Sequence, residues 1–299
     1  LCLAVIGLAY VFNDVMEQKQ IAKQVGDLQM IENRIQTIIS SKKLTYGEKK
    51  AFSEFENNVN TFNKQWFEFK GKYHYSTKTI KEVDEVWQRI NANAQIIVAK
   101  KKELMTLKTV VDKALVNFKV IYKINDGLVN LLLGNNINSH QLAMAKELAV
   151  LFIDEESEFA SVYIEDVNVV RSEDDFGFGN LHTIRIILNG FLSGESNLGI
   201  KKIEDVKIRE MIKNYMTLVD KTINSDRNTI LSMSPMLFQF FQAKNTIYRD
   251  SPQLKSALSK LNNHQLNKGL IVFVICIWLV FFACMFGFLR ALTSSEEFL

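Results

Sequence analysis

Titratable side chains are plentiful in this chain, but few sit at a spacing that supports a reaction. The histidines, His74, His140, His182 and His264, are scattered along the sequence. A bound zinc or similar ion needs ligands at short, recurring spacings, and these four have none. Two acidic clusters stand out, Asp154-Glu155-Glu156 and Glu173-Asp174-Asp175. General acid–base catalysis needs such groups in a dry cleft, with their pKa values held apart. Consecutive carboxylates on a helix point different ways, so both clusters read as solvated surface. Gly177-Phe178-Gly179 is too short for a phosphate loop and lies in no strand–turn–helix context. Lys100-Lys101-Lys102 reads as the wet face of a helix rich in Glu and Asp. No nucleophile motif is present. The expectation is a protein that is not an enzyme, with no cofactor and no metal.

One segment carries candidate binding residues. In Val25-Gly26-Asp27-Leu28-Gln29-Met30-Ile31-Glu32-Asn33-Arg34-Ile35, the cation Arg34 falls among apolar positions, near what would be a bundle face. It can pair within its own helix, with Glu32 or Asp27. It can also hold an anion or a partner where two copies of the helix meet. Asp27 and Arg34 are therefore candidates for ligand or dimer contact.

The elements that would position them are helical throughout. The run Gly269 to Leu289 contains no charged residue and is bracketed by Lys268 and Arg290. At about 1.5 Å per residue it matches the ~30 Å core of a bilayer. The chain opens in a shorter apolar run, LCLAVIGLAYVF, read as part of a first membrane helix. The expected layout is a partial membrane helix at 1–12, a first helical module at 13–135 and a second at 136–268. A second membrane helix at 269–289 follows, and 290–299 begins a cytoplasmic region whose output domain lies beyond this sequence. The net charge of +3 excludes a strong field for nucleic acid. The cysteines, Cys2, Cys276 and Cys284, all fall in the apolar ends, so the middle can form no disulfide.

Between the ends, apolar residues recur every three or four positions. Val5, Leu8, Phe12 and Val15 run on into Ile21, Val25, Leu28, Ile31 and Ile35, predicting one helix to about Lys42. A second is expected from Tyr46 to Lys70, and a third of more than fifty residues carrying Val83 through Leu132. Asn138 or Ser139 can cap the next. Shorter helices are expected at Leu181 to Leu192 and Ile203 to Met233. Ser234-Pro235 reads as the start of the last helix, with Ser as N-cap and Pro in the first turn, and Ser251-Pro252 as a point where it is interrupted. Ile80 to Ile121 can be laid on Asp205 to Thr246, which suggests two stacked bundles sharing long helices and divided near residue 135.

The segment at Val25 to Ile35 resembles the start of the PilJ-type sensory domain, G-[DE]-L-x-x-[LI]-x-x-R-I. Val129 to Leu142, VNLLLGNNINSHQL, is similar to the turn between that family's halves. Leu188 to Gly194 resembles its L-x-G-x-x-x-G helix end, followed by Leu198-Gly199-Ile200. Ser234-Pro235-Met236-Leu237-Phe238-Gln239, with Ala243, Asn245 and Ile247, resembles its S-P-x-L-F-Q-x-x-x-A-x-N-x-I. The resemblance implies an all-α, elongated periplasmic bundle in a bacterial inner-membrane protein that crosses twice, with residues 13–268 in the periplasm. It implies a homodimer that reads pilin or another pilus component. It also implies output to a CheA-like histidine kinase and a CheW-like adaptor. Nitrate-sensing histidine kinases carry a related domain in which an Arg of this first helix holds the anion. Gln29 stands at that position here, and an amide lacks the charge-assisted bidentate contact. A kinase sensor for a small anion and a non-signalling membrane scaffold are the rival readings.

Overall fold

The computed structural model describes residues 2–73, 77–134, 138–162 and 180–296. The described residues are helical apart from short connections and one antiparallel bridge, Glu195 with Ile200. In chain order the helices are α1 (Cys2–Ser40), α2 (Lys42–Thr45), α3 (Lys49–Lys72), α4 (Thr77–Ala99) and α5 (Lys101–Gly134). They continue with α6 (Ser139–Ser161), α7 (Asn180–Ser193), α8 (Val206–Val219), a π-helical stretch (Asp220–Ser225) and α9 (Asp226–Glu296). The clusters at 173–179, His74 and Tyr163 lie outside the described residues.

The chain forms two compact units. The first takes residues 1–40, 54–94 and 246–299, and the second takes 41–53 and 95–245. Unit 1 is built from α1 and parts of α3, α4 and α9. Their stripes bury Val25, Leu28 and Ile35, then Phe55, Phe62 and Trp66, then Val83 and Trp87, then Leu254, Leu258 and Leu261. Aromatics dominate this core: Phe62 stacks on Trp87 with centroids 3.8 Å apart, and Trp66 on Phe69 at 5.5 Å. Polar tips at the core edge find partners, as large amphipathic rings require. Trp66 Nε1 donates to Asp84 Oδ1 at 2.6 Å, and Trp87 Nε1 to Asn63 Oδ1 at 2.7 Å.

Unit 2 packs α5 against α6 and α8, with α7 against α6. Phe118, Phe152, Phe159 and Tyr215 are among its largest buried groups. The buried Asn125 ties three of these helices, donating to Ala145 O at 3.1 Å and accepting from Tyr215 Oη at 3.3 Å. The Asn138 cap is present, its side chain accepting from His140 N at 3.1 Å. The L-x-G-x-x-x-G end of α7 has a clear physical reason. Gly194 has φ +90°, and its N–H returns to Gly190 O at 2.8 Å, a left-handed helix cap. A Cβ at Gly190 would sit 3.0 Å from Ile200 Cδ1 and 3.1 Å from Glu195 Cβ, so the small residue leaves room for the Glu195–Ile200 bridge to lie close on the helix. Arg209 then covers carbonyls left open at this end, donating to Leu192 O at 2.8 Å and Ile203 O at 3.1 Å.

Three expectations need correction. The long third helix is broken at Lys100, whose N–H is shared between Ile96 O and Ile97 O, both at 3.2 Å, so that α4 and α5 are distinct. Ser234-Pro235 is not a helix start: α9 begins at Asp226 and runs unbroken through Pro235 and Pro252. Both prolines are exposed. The carbonyls four residues upstream, at Leu231 and Tyr248, lose their helical N–H partner. Third, Asp154-Glu155-Glu156 is not a uniformly wet cluster. Glu155 is fully buried, and Glu156 accepts from Tyr122 Oη at 2.6 Å. Glu155 sits three residues after Phe152 and four before Phe159, on the core line of α6.

Among the described residues no helix is long and apolar enough to cross a membrane. The run at Gly269 to Leu289 lies inside α9. Side chains are described there at Ile275 and from 277 to 287, and every one is exposed, including Trp278, Phe281, Phe282 and Phe286.

Candidate functional site: the seam between the first and last helices

Within unit 1, α1 meets α9 along an apolar line relieved by polar rungs. Ile21, Val25, Leu28, Ile31 and Ile35 bury one face of α1, and Leu254, Ala257, Leu258 and Leu261 bury one face of α9. Helical geometry puts residues three and four apart on that same face. Gln29, half-buried at its margin, donates from Nε2 to Ser259 Oγ at 3.0 Å. One turn along, Lys255 Nζ donates to Asn33 Oδ1 at 3.4 Å. α4 adds its own rungs to α9. Arg89 Nε donates to Asp250 Oδ2 at 2.9 Å and Nη2 to Gln253 Oε1 at 3.2 Å, while Lys260 pairs with Glu82. Asp250 is 2% exposed and also faces Arg249 Nε at 3.3 Å, so a buried carboxylate is compensated from two sides.

The candidates do not gather into one pocket. Gln29 is engaged across the seam. Asp27 is half-buried on α1. Arg34 is exposed rather than set into the bundle face; its Nη2 lies 3.7 Å from Met30 Sδ, and among the described residues no carboxylate is bonded to it. Its neighbours Ile31 and Ile35 take the buried face, which turns Arg34 outward.

Glu32, which the sequence offers only as a possible partner for Arg34, is the buried group of this seam. It is 2% exposed, and neither carboxylate oxygen has a hydrogen bond of good geometry. Burial pushes its carboxyl above the ordinary range; the Ser251 hydroxyl and the Lys255 ammonium only partly offset this. The signal was present in the sequence. Glu32 stands four residues after Leu28 and three before Ile35, inside the apolar stripe. A carboxyl pKa raised by folding stabilises the folded state fully below the unfolded value, near 4.5, and that contribution is lost as pH rises through the folded value. Glu32→Gln removes the penalty. We expect the variant to melt above the parent at about pH 8 and to match it near pH 4, in thermal scans of the whole chain.

A polar seam of this kind holds two helices in one register and offers no reacting group. Among the described residues no group of His, Cys, Asp or Glu could hold a metal ion.

Comparison with known proteins follows the same line. No family model matches the chain. Over 222 residues, 73% of the chain, it is 25% identical to a protein of Alcanivorax borkumensis named for methyl-accepting chemotaxis, AlkN, of which the match covers 32%. The chain is thus similar to a protein named for chemotaxis. Over 267 residues, 85% of its length, it is also 23% identical to Protein PilJ of Pseudomonas aeruginosa, covering 38% of that protein. The chain thus spans about a third of the length of the curated relatives it matches.

Proposed function

We propose that the chain is the sensory and membrane-spanning region of a chemoreceptor-type transducer that reads the state of a type IV pilus through pilin. The observation that carries the reading is the seam, where the first and last helices of the chain are laced together by Gln29–Ser259 and Lys255–Asn33. The exposed apolar side chains of α9 from Ile275 to Phe286 support a membrane span, since a helix apolar all round calls for a non-aqueous surrounding. The first apolar run supplies the other crossing, with residues 13–268 in the periplasm of a bacterial inner-membrane protein. A partner that binds one arrangement of the bundle better than another shifts the population between them. Small shifts of packed helices then carry the change to a CheA-like kinase and a CheW-like adaptor through a cytoplasmic region. Arg34 and Met30, exposed side by side on α1, serve contact with a second copy in a homodimer.

Crosslinking in cells tests the partner. Photoreactive residues placed within 13–268 are expected to give a specific product with pilin, and no such product at any position sinks the pilin reading. An anion sensor predicts the opposite kind of result. Gln29 has no charge and is already engaged by Ser259. Millimolar nitrate is therefore expected to leave the melting temperature of the whole chain unchanged, whereas a ligand at a hundred times its Kd adds about 2.7 kcal/mol.

A further inference from the structure

Unit 1 contains two helices that the signalling reading leaves without a task. α1 and α9 lead into the apolar runs, whereas α3 and α4 end at a corner beside them. Side-chain bonds fix the level of that corner. Arg89 of α4 bonds Asp250 of α9 at 2.9 Å, and Glu82, seven residues earlier on α4, pairs with Lys260, ten residues later on α9. α4 therefore runs antiparallel to α9, and its first turns are the ones nearest the apolar run. On the other side Lys72, the last residue of α3, donates from Nζ to Gln20 Oε1 of α1 at 3.2 Å.

Two helical rulers give the height. At about 1.5 Å per residue, Gln20 stands about 12 Å beyond Phe12, where the first apolar run ends. Lys260 stands about 14 Å before Gly269, where the second run begins, and Lys78 lies about 6 Å nearer to it than Glu82 does. A bilayer's headgroup layer is about 5–8 Å deep on each side of the hydrocarbon. Lys72 and Lys78 thus come within one screening length, about 8 Å at physiological salt, of a headgroup surface. The charge at this level is positive. Asp84 accepts from Trp66 at 2.6 Å and Lys70 at 2.8 Å, Glu82 pairs with Lys260, and Glu85 lies 3.8 Å from Lys81, so the acids of early α4 are engaged. Beyond Met16 the exposed carboxylates Glu17 and Glu68 are outnumbered by the exposed Lys19, Lys23, Lys72 and Lys78. Among the described residues no carboxylate is bonded to Lys72 or Lys78, and the connecting sequence His74-Tyr75-Ser76 contains no acid.

We propose that the α3–α4 corner is a foot resting on anionic phospholipid headgroups, with Lys72 and Lys78 as its contact groups. The inference rests on the membrane-spanning reading given above. A lysine is a compact charge on a long apolar stem, suited to reaching a lipid phosphate from above. Basic residues beside a span are drawn to anionic lipid, and the attraction dies away within a screening length. A corner held in this way gives α1 and α9 a fixed reference at the membrane surface, past which the spanning helices shift.

Amide exchange of the whole chain in nanodiscs tests the foot, in phosphatidylcholine alone and with about 30% phosphatidylglycerol. In the anionic discs at low salt, exchange at 68–73 and 78–84 is expected to slow about threefold or more, and about 0.5 M salt is expected to abolish the difference. The exposed pair Lys72→Gln and Lys78→Gln, changed together, is expected to exchange alike in both discs, whereas Lys72→Arg with Lys78→Arg keeps the slowing. Equal exchange of the parent in both discs, or undiminished slowing in the glutamine variant, overturns the foot. So does an equal slowing produced by inorganic phosphate in phosphatidylcholine discs, which would mark a free-anion site. Quenching of Trp278 by lipid brominated on its acyl chains keeps the two readings apart. Quenching without lipid dependence at the corner removes the foot alone, and no quenching removes the span and the foot with it.

Discussion

Gly47→Ala is expected to destabilise unit 2 by about 2–4 kcal/mol, through left-handed strain together with a backbone clash. Gly47 has φ +70°, where a side chain is strained, and it closes the turn between α2 and α3 by donating to Leu44 O at 3.1 Å. The strain alone is the smaller part. A Cβ there would lie 2.6 Å from the Leu104 carbonyl oxygen and 2.9 Å from its carbon. These are backbone atoms inside α5 and cannot step aside as a side-chain tip would. The turn must lift from α5, which uncovers Leu44 and Thr45, both buried now. Gly127→Ala is the matched control. It lies within α5 with nothing within 4 Å of its missing Cβ, so the variant is expected to gain up to ~1 kcal/mol from helix propensity. Urea unfolding of the two variants beside the parent reads both signs. A neutral Gly47→Ala would mean that the α2 turn does not rest on α5.

Trp87→Ala carries the second large effect, a loss of about 3–5 kcal/mol from unit 1. The indole is 4% exposed, stacks on Phe62 at 3.8 Å and donates to Asn63 at 2.7 Å. Truncation opens a cavity against an aromatic face that cannot collapse into it, and strips Asn63 of a donor. Trp87→Phe separates the two contributions. It keeps most of the packed volume and loses the N–H, so its expected deficit is nearer 1 kcal/mol. Amide exchange over α3 and α4 localises the damage; equal deficits for the two variants would place the stability in the hydrogen bond instead of the stack.

Much of the architecture was open to reading because helical burial repeats locally. Ile21, Val25, Leu28, Ile31 and Ile35 on α1, and Phe52, Phe55, Phe62, Trp66 and Phe69 on α3, announce their core faces by spacing, and all are buried. The beginning of α9 was hidden for a local reason. Ser-Pro is a strong helix-start signal, and nothing within a few residues says that the helix is already under way. The packing of Met236, Leu237, Phe240 and Phe241 holds the helix together there. Charge density hid Glu155: three acids in a row look like surface, although one of them sits between two phenylalanines of the core stripe. The site was legible only on one side. Gln29 sits in a segment that draws notice, but its partner Ser259 lies far along the chain, and no local pattern joins residues 230 positions apart.

Pro235 and Pro252 give α9 a mechanical character of its own. Each removes one rung of the hydrogen-bond ladder on the side turned to solvent. A helix with a missing rung has its lowest bending stiffness there, and twisting about the axis is resisted mainly by the side chains that grip the neighbours. Under load this helix flexes first at two fixed joints, seventeen residues apart by the numbering of the prolines. Between the joints lie Phe240, Phe241, Ala243, Lys244 and Asp250, all clamped by burial. Within its own unit, each proline is therefore the point at which α9 yields first, while the buried residues beside it stay gripped by their neighbours.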